Sequence, residues 1–177
     1  LFRRMYNEIR QRRELKQDKH RDALLFSLDE LNEYGCKLDL FLAVENRQRY
    51  HQIPDLDEFE LFFEEFEGGN LGFWYDVGHA FLQERLGICR QDELFKRYSE
   101  NIIGVELQDV KKFEEYLPPG EGEIDFKEIL EKIPKKAVKV LEIKECKKEK
   151  LAESIEFLHS NLSSNEVKEC NEAQEDK

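Results

Sequence analysis

Four acids, Glu45, Asp76, Glu106 and Glu142, fall at or near the end of the apolar segments "LDLFLAVEN", "LGFWYDVGH", "NIIGVELQD" and "AVKVLEIKE". An ionised carboxylate in an apolar setting is costly unless it is hydrogen-bonded, wet or bound to a cation. Taken singly, each acid reads as a helix N-cap or half of a surface ion pair. Four of them at the same place in successive segments would repel one another on a shared rim, and a divalent cation among them resolves that repulsion. Oxygen donors suit Mg²⁺ or Mn²⁺, and an added imidazole tilts the choice toward Mn²⁺, Co²⁺ or Zn²⁺. His79 follows Asp76 by three residues, with Gly78 between them to let the backbone bend. It stands as a ligand, a substrate contact or a polar residue opening a helix. His20, His51 and His159 lack such a setting and are expected on the surface.

The elements that must position these acids follow from periodicity. The four segments are apolar and mostly β-favouring, as buried parallel strands are. Their acids are 31, 30 and 36 residues apart, close to the length of one strand-plus-helix unit. Between them, "RDALLFSLDELNEYG" predicts a helix stopped by Gly35, and "IPDLDEFELFFEEFEGGN" one capped by Asp55 and ended by Gly68-Gly69. "DELFKRYSEN", "DFKEILEKIP" and "KEKLAESIEFLHSNL" follow the same pattern, and "LPPGEGEIDF" reads as a rigid turn before a helix capped by Asp125. Alternating strands and helices predict an α/β fold with a parallel sheet and outer helices, in which function collects at the carboxyl ends of the strands. Residues 1–160 form one domain in this reading. Residues 161–177, polar and aperiodic, form a frayed tail.

Composition narrows the partners. A net charge of −12 at pH 7 disfavours nucleic acid, since phosphate backbones are drawn to Lys and Arg. The basic start, "RRMYNEIRQRRELKQDKHR", reads as a solvated helix surface that still offers a local basic face. No apolar run approaches a membrane span. Four scattered cysteines, Cys36, Cys89, Cys146 and Cys170, point to a reduced, cytoplasmic protein. The first residue is Leu rather than Met, which leaves room for a segment upstream.

The pieces "LAVENR", "YDVGHA", "VELQDV", "PPGEGEIDF" and "VLEIK" resemble, in order and spacing, the xylose isomerase-like (β/α)8 TIM barrels. That group includes sugar isomerases and epimerases and the endonuclease IV type of repair enzyme. The resemblance covers about Asp39 to Lys144 and implies the C-terminal half of such a barrel. It implies one divalent metal ion, Mn²⁺, Mg²⁺ or Co²⁺ ahead of Zn²⁺, on Glu45, Asp76, Glu106 and Glu142. "ELQD" puts Glu106 where the family usually has His. Glu45 and Glu142 become paired proton carriers, with His79 and Lys112 as substrate contacts.

The implied activity is isomerisation or epimerisation of a sugar or sugar phosphate by proton transfer through an enediolate. The alternatives are an endonuclease IV-like phosphodiesterase and a non-catalytic barrel fragment or subunit. Only four of eight strands are present, so a homo-oligomer or a complementing barrel half is expected.

Overall fold

The computed structural model describes the backbone of residues 2–172 and the side chains of residue 4 and residues 7–162. Two helices, α1 (Phe2–Glu14) and α2 (Gln17–Leu38), lead into β1 (Leu42–Glu45), α3 (Leu56–Glu65) and β2 (Leu71–Asp76). Then come α4 (Val77–Arg85), α5 (Gln91–Tyr98), a 3₁₀ turn (Ser99–Asn101) and β3 (Ile102–Leu107). A small hairpin of β4 (Asp109–Lys111) and β5 (Glu114–Leu117) precedes α6 (Phe126–Lys132), β6 (Val138–Leu141) and α7 (Lys148–Glu172). The four strands expected from the sequence make one sheet, ordered β1-β2-β3-β6, and every pair in it is parallel. The expected tail from residue 161 begins inside α7, and residues 173–177 lie outside the described residues. No helix among the described residues is long and apolar enough to cross a membrane.

Strand alternation divides the side chains between two faces. Phe73 and Tyr75 point to the helices, where they join Phe59, Phe95 and Tyr98 in the main core. Phe59–Phe73 and Tyr75–Phe95 ring centroids are each 4.7 Å apart, a spacing at which edge and offset contacts add to burial. The buried hydroxyls are satisfied: Tyr75 donates to Gln91 Oε1 at 3.0 Å and Tyr98 to the Leu56 carbonyl at 2.5 Å. On the opposite face, the Trp74 ring packs against Gly104, where any Cβ would collide with it. Val138 and Val140 stand on that face too, 57% and 39% exposed.

Helix ends follow their caps. Asp55 and Glu58 form a full capping box at the start of α3, and Asp125 caps α6. Gly35 does not stop α2. The helix runs on to Leu38 and closes on Asp39 in the left-handed conformation (φ 55°), whose N–H donates to the Gly35 carbonyl. The basic start is helical and mostly exposed, but Arg13 is buried. Its guanidinium meets Asp55 at 2.9 Å and bonds Glu58, so α1 is tied to the cap of α3.

The hairpin is absent from the sequence reading, because "DVK" and "EEYL" are too short and too charged to show a strand period. Asp109, wholly buried, organises the loop behind it. It accepts from the backbone N–H groups of Val110, Gly120, Gly122 and Ile124 at 2.8, 2.9, 2.8 and 3.2 Å. Two predictions follow from this architecture. Asp109→Ala strands four donors and should lower stability by about 2–4 kcal/mol in urea unfolding, and a loss under about 1 kcal/mol would contradict the anchoring role. Among the described residues the outer edges of β1 and β6 are unpaired, a state that invites strand addition. Light scattering on residues 1–177 should therefore show association, and a monodisperse monomer would count against it.

Candidate functional site

The carboxyl ends of the four strands converge on Asp76. It ends β2 with no exposure at all and caps α4, its Oδ1 accepting from the His79 backbone N–H at 2.7 Å. The N-cap reading and the site reading thus describe one residue. Asn46, just past β1, clamps it from the side. The Asp76 N–H donates to Asn46 Oδ1 at 2.7 Å and Asn46 Nδ2 donates to the Asp76 carbonyl at 2.9 Å, continuing the β1–β2 ladder with a side chain.

Two groups of potential ligand atoms share this aspartate: Glu45, Asp76 and His79 on one side, Asp76, Glu106 and Glu142 on the other. All four acids named from the sequence, and His79, are brought together. Lys112 is not among them. It sits at the hairpin tip with φ 61° and is exposed, its backbone N–H donating to Glu123 at 3.0 Å.

His79 is buried, with Nδ1 turned toward the acids. Nδ1 is 2.9 Å from Glu45 Oε1, 3.0 Å from the Asn46 carbonyl and 3.4 Å from Asp76 Oδ2. Burial alone would lower the His79 pKa. The Glu45 hydrogen bond, the Asp76 charge and the Asn46 carbonyl outweigh it and raise the value to about 9. Gly78 serves packing rather than a backbone bend: its φ is ordinary, but a Cβ would come within 2.6 Å of the Gln108 side chain.

Sequence reasoning missed three polar residues of this site: Asn46, Gln108 and Glu115. Gln108 Nε2 donates to Asp76 Oδ2 at 2.8 Å and Oδ1 at 3.1 Å, and reaches toward Glu142 at 3.5 Å. Its Oε1 accepts from the Tyr116 N–H at 2.9 Å. Glu115, on β5, accepts from Gln48 through one oxygen, while the buried Oε1 has no hydrogen-bond partner and stands 3.9 Å from His79 Nε2. A Gln or Asn beside an acid carries no distinctive spacing, and Glu115 sits on the unforeseen hairpin. No pattern in the sequence singled them out.

The donor set fits a divalent cation. It is oxygen-rich with one imidazole, as Mn²⁺, Mg²⁺ or Co²⁺ would take. Atoms in each triad lie within 4.8 Å of one another. Two ligands at about 2.1 Å from an ion stand at most about 4.2 Å apart, so small rotamer changes close either triad. The Gln108 amide nitrogen donates to Asp76 and reaches Glu142, partly balancing their charge.

Protonation offsets the crowding of negative charge. Burial pushes Asp76 up to about 7, assisted by the Glu45 charge and opposed by His79 and Gln108. Burial also raises Glu142, and the charge of Glu106 adds to it. Glu115 is raised by burial. Because folding lifts Asp76 above an ordinary aspartate, near 3.9, the folded chain holds a proton that the unfolded chain releases. Its contribution is fully present below about pH 4 and is lost as pH rises through about 7. In EDTA, the melting temperature of Asp76→Asn minus that of the wild type should accordingly rise across this window. A flat or falling difference would refute the raised value.

A family model described as a xylose isomerase-like TIM barrel matches residues 6–161. No curated protein matches the chain. Among solved structures, the apo form of 3-keto-D-glucoside 4-epimerase, YcjR, from E. coli superposes with a TM-score of 0.68 at 18% identity, over 81% of this chain and 54% of that one. A D-tagatose 3-epimerase-like protein superposes with a TM-score of 0.60 at 22% identity, over 80% and 54% of the respective chains. The chain spans about half the length of these two structures, and at such identities the likeness is one of fold. The family match, by contrast, runs through every strand of the sheet and the acids they carry, and the chain belongs to the xylose isomerase-like TIM barrel family.

Proposed function

We propose that this chain carries the metal-binding, proton-transferring part of a sugar or sugar-phosphate isomerase or epimerase. The observation that supports it most is the pair of triads meeting at Asp76, one containing Glu45 and the other Glu142, the two candidate bases. The epimerase names of both solved structures agree with this choice of substrate class.

A C–H proton beside a carbonyl leaves only when the charge gathering on oxygen is stabilised. A bound divalent cation supplies that stabilisation as a Lewis acid. Glu45 accepts from Arg47 at 3.1 Å and faces His79 at 2.9 Å, and in this reading it takes the proton from one face of the substrate carbon. The resulting enediolate collects a proton from Glu142, whose affinity for it is raised by burial and by Glu106. Return to the opposite face of the same carbon inverts it; return to the neighbouring carbon isomerises the sugar. Glu106 thus acts through Glu142 by holding its proton. His79 Nε2 and the unpartnered Glu115 Oε1, 3.9 Å apart, form a donor and acceptor for one substrate hydroxyl.

Calorimetric titration should find one Mn²⁺ site, weakened in Glu142→Ala. With Mn²⁺ bound, NMR should detect deuterium from solvent entering a ketose beside its carbonyl. Glu45→Gln and Glu142→Gln should each slow that exchange by roughly 10²–10⁴. Exchange that survives both substitutions would sink the reading.

A further inference from the structure

We propose that a basic cavity next to the carboxylate cluster is an anion subsite that takes the phosphate of a phosphorylated sugar. The proposal deepens the reading above and rests on it for the sugar portion alone. The cavity, of about 700 Å³, lies between α1, the start of α2 and the loop after β1, a size typical of small-ligand pockets. Its lining includes Arg12, Arg13, Lys16, Arg47, His20 and His51 and no carboxylate. In a chain with 40 acids against 28 Lys and Arg, an acid-free lining needs a reason.

The basic side chains there are unlike those elsewhere on α1. Arg4 and Arg10 are paired along the helix with Glu8 and Glu14 at 3.2 and 2.9 Å, as a solvated face would be. Arg13 is held by Asp55 and Glu58, which fixes the wall. Arg12, Lys16, His20 and His51 have neither a hydrogen bond nor an ion pair to their side chains among the described residues. Ile9, Leu24 and Ile53 complete the lining, and apolar walls strengthen the attraction between a charge and its partners. A phosphate monoester carries close to two negative charges at pH 7 and suits several donors of this kind.

Arg47 joins the cavity to the chemistry. It lines the cavity and places Nη1 3.1 Å from Glu45 Oε2, while Gln83 holds its carbonyl. A substrate with its phosphate in the cavity therefore meets Arg47 on the way to Glu45. One molecule occupies both places, and the phosphate provides binding energy remote from the reacting carbon.

The test is calorimetry on the chain in EDTA with inorganic phosphate, D-ribulose 5-phosphate and D-ribulose. The two phosphate compounds should bind at least tenfold more tightly than D-ribulose. The double variant R12A/K16A should erase that difference, and R12K/K16R should restore it. Both positions are exposed, and thermal melting confirms that the variants fold. Equal affinity for the sugar and its phosphate, or phosphate binding unchanged in R12A/K16A, overturns the proposal. Single-stranded DNA binding as tightly as the sugar phosphate also overturns it, in favour of a polyanion site. Manganese titration separates the two readings. Lost Mn²⁺ binding with phosphate binding intact defeats the catalytic reading alone, and the reverse result defeats the subsite alone.

Discussion

A carboxylate with no access to water has to be satisfied by the protein, and at Asp76 that demand shapes everything nearby. Its oxygens take the His79 N–H in the first turn of α4 and the Gln108 amide nitrogen as donors, while Asn46 holds its backbone on both sides. These bonds join β1, β2, β3 and α4 at one point. The desolvation they offset is large for an ionised group, which is why Asp76 holds its proton to about pH 7. The site therefore begins as a structural necessity of the sheet, and its cation-seeking character is the remainder that hydrogen bonds leave uncompensated.

The four strands were visible in the sequence because their residues are apolar on both faces, even where β6 leaves Val138 and Val140 exposed, and their terminal acids broke those runs about one strand-plus-helix unit apart. Helix starts were visible where a side chain does the capping, at Asp55 and Asp125. Gly35 misled because glycine is the usual left-handed cap, whereas here Asp39 adopts that conformation and the glycine is pressed against the Leu40 carbonyl, with a Cβ position 3.0 Å from it. The hairpin β4–β5 was invisible because its pairing is set by tertiary contacts, not by local propensity. With it went Glu115, and the amides of Asn46 and Gln108 went for want of any periodic signature.

Charge is distributed along the chain with a purpose that the net value hides. Four acids collect at the strand ends, where they would draw in a cation. The bases of α1 divide between helix-surface pairs and a cavity free of acids. Arg47 stands at the boundary, with its guanidinium on Glu45 and its side chain lining the cavity. Opposite fields set side by side orient a dipolar ligand before any contact forms.

Gly78 has no functional group and touches no proton, yet it decides whether the site exists. A methyl group there would meet the Gln108 side chain 2.6 Å away and drive its amide off Asp76. In a survey of tolerated substitutions this position would score with the acids, while exposed residues of the nearby hairpin tip would vary. Intolerance at a residue thus marks the space that a neighbouring amide requires, and a map of essential positions in this chain would trace the outline of the site as much as its chemistry.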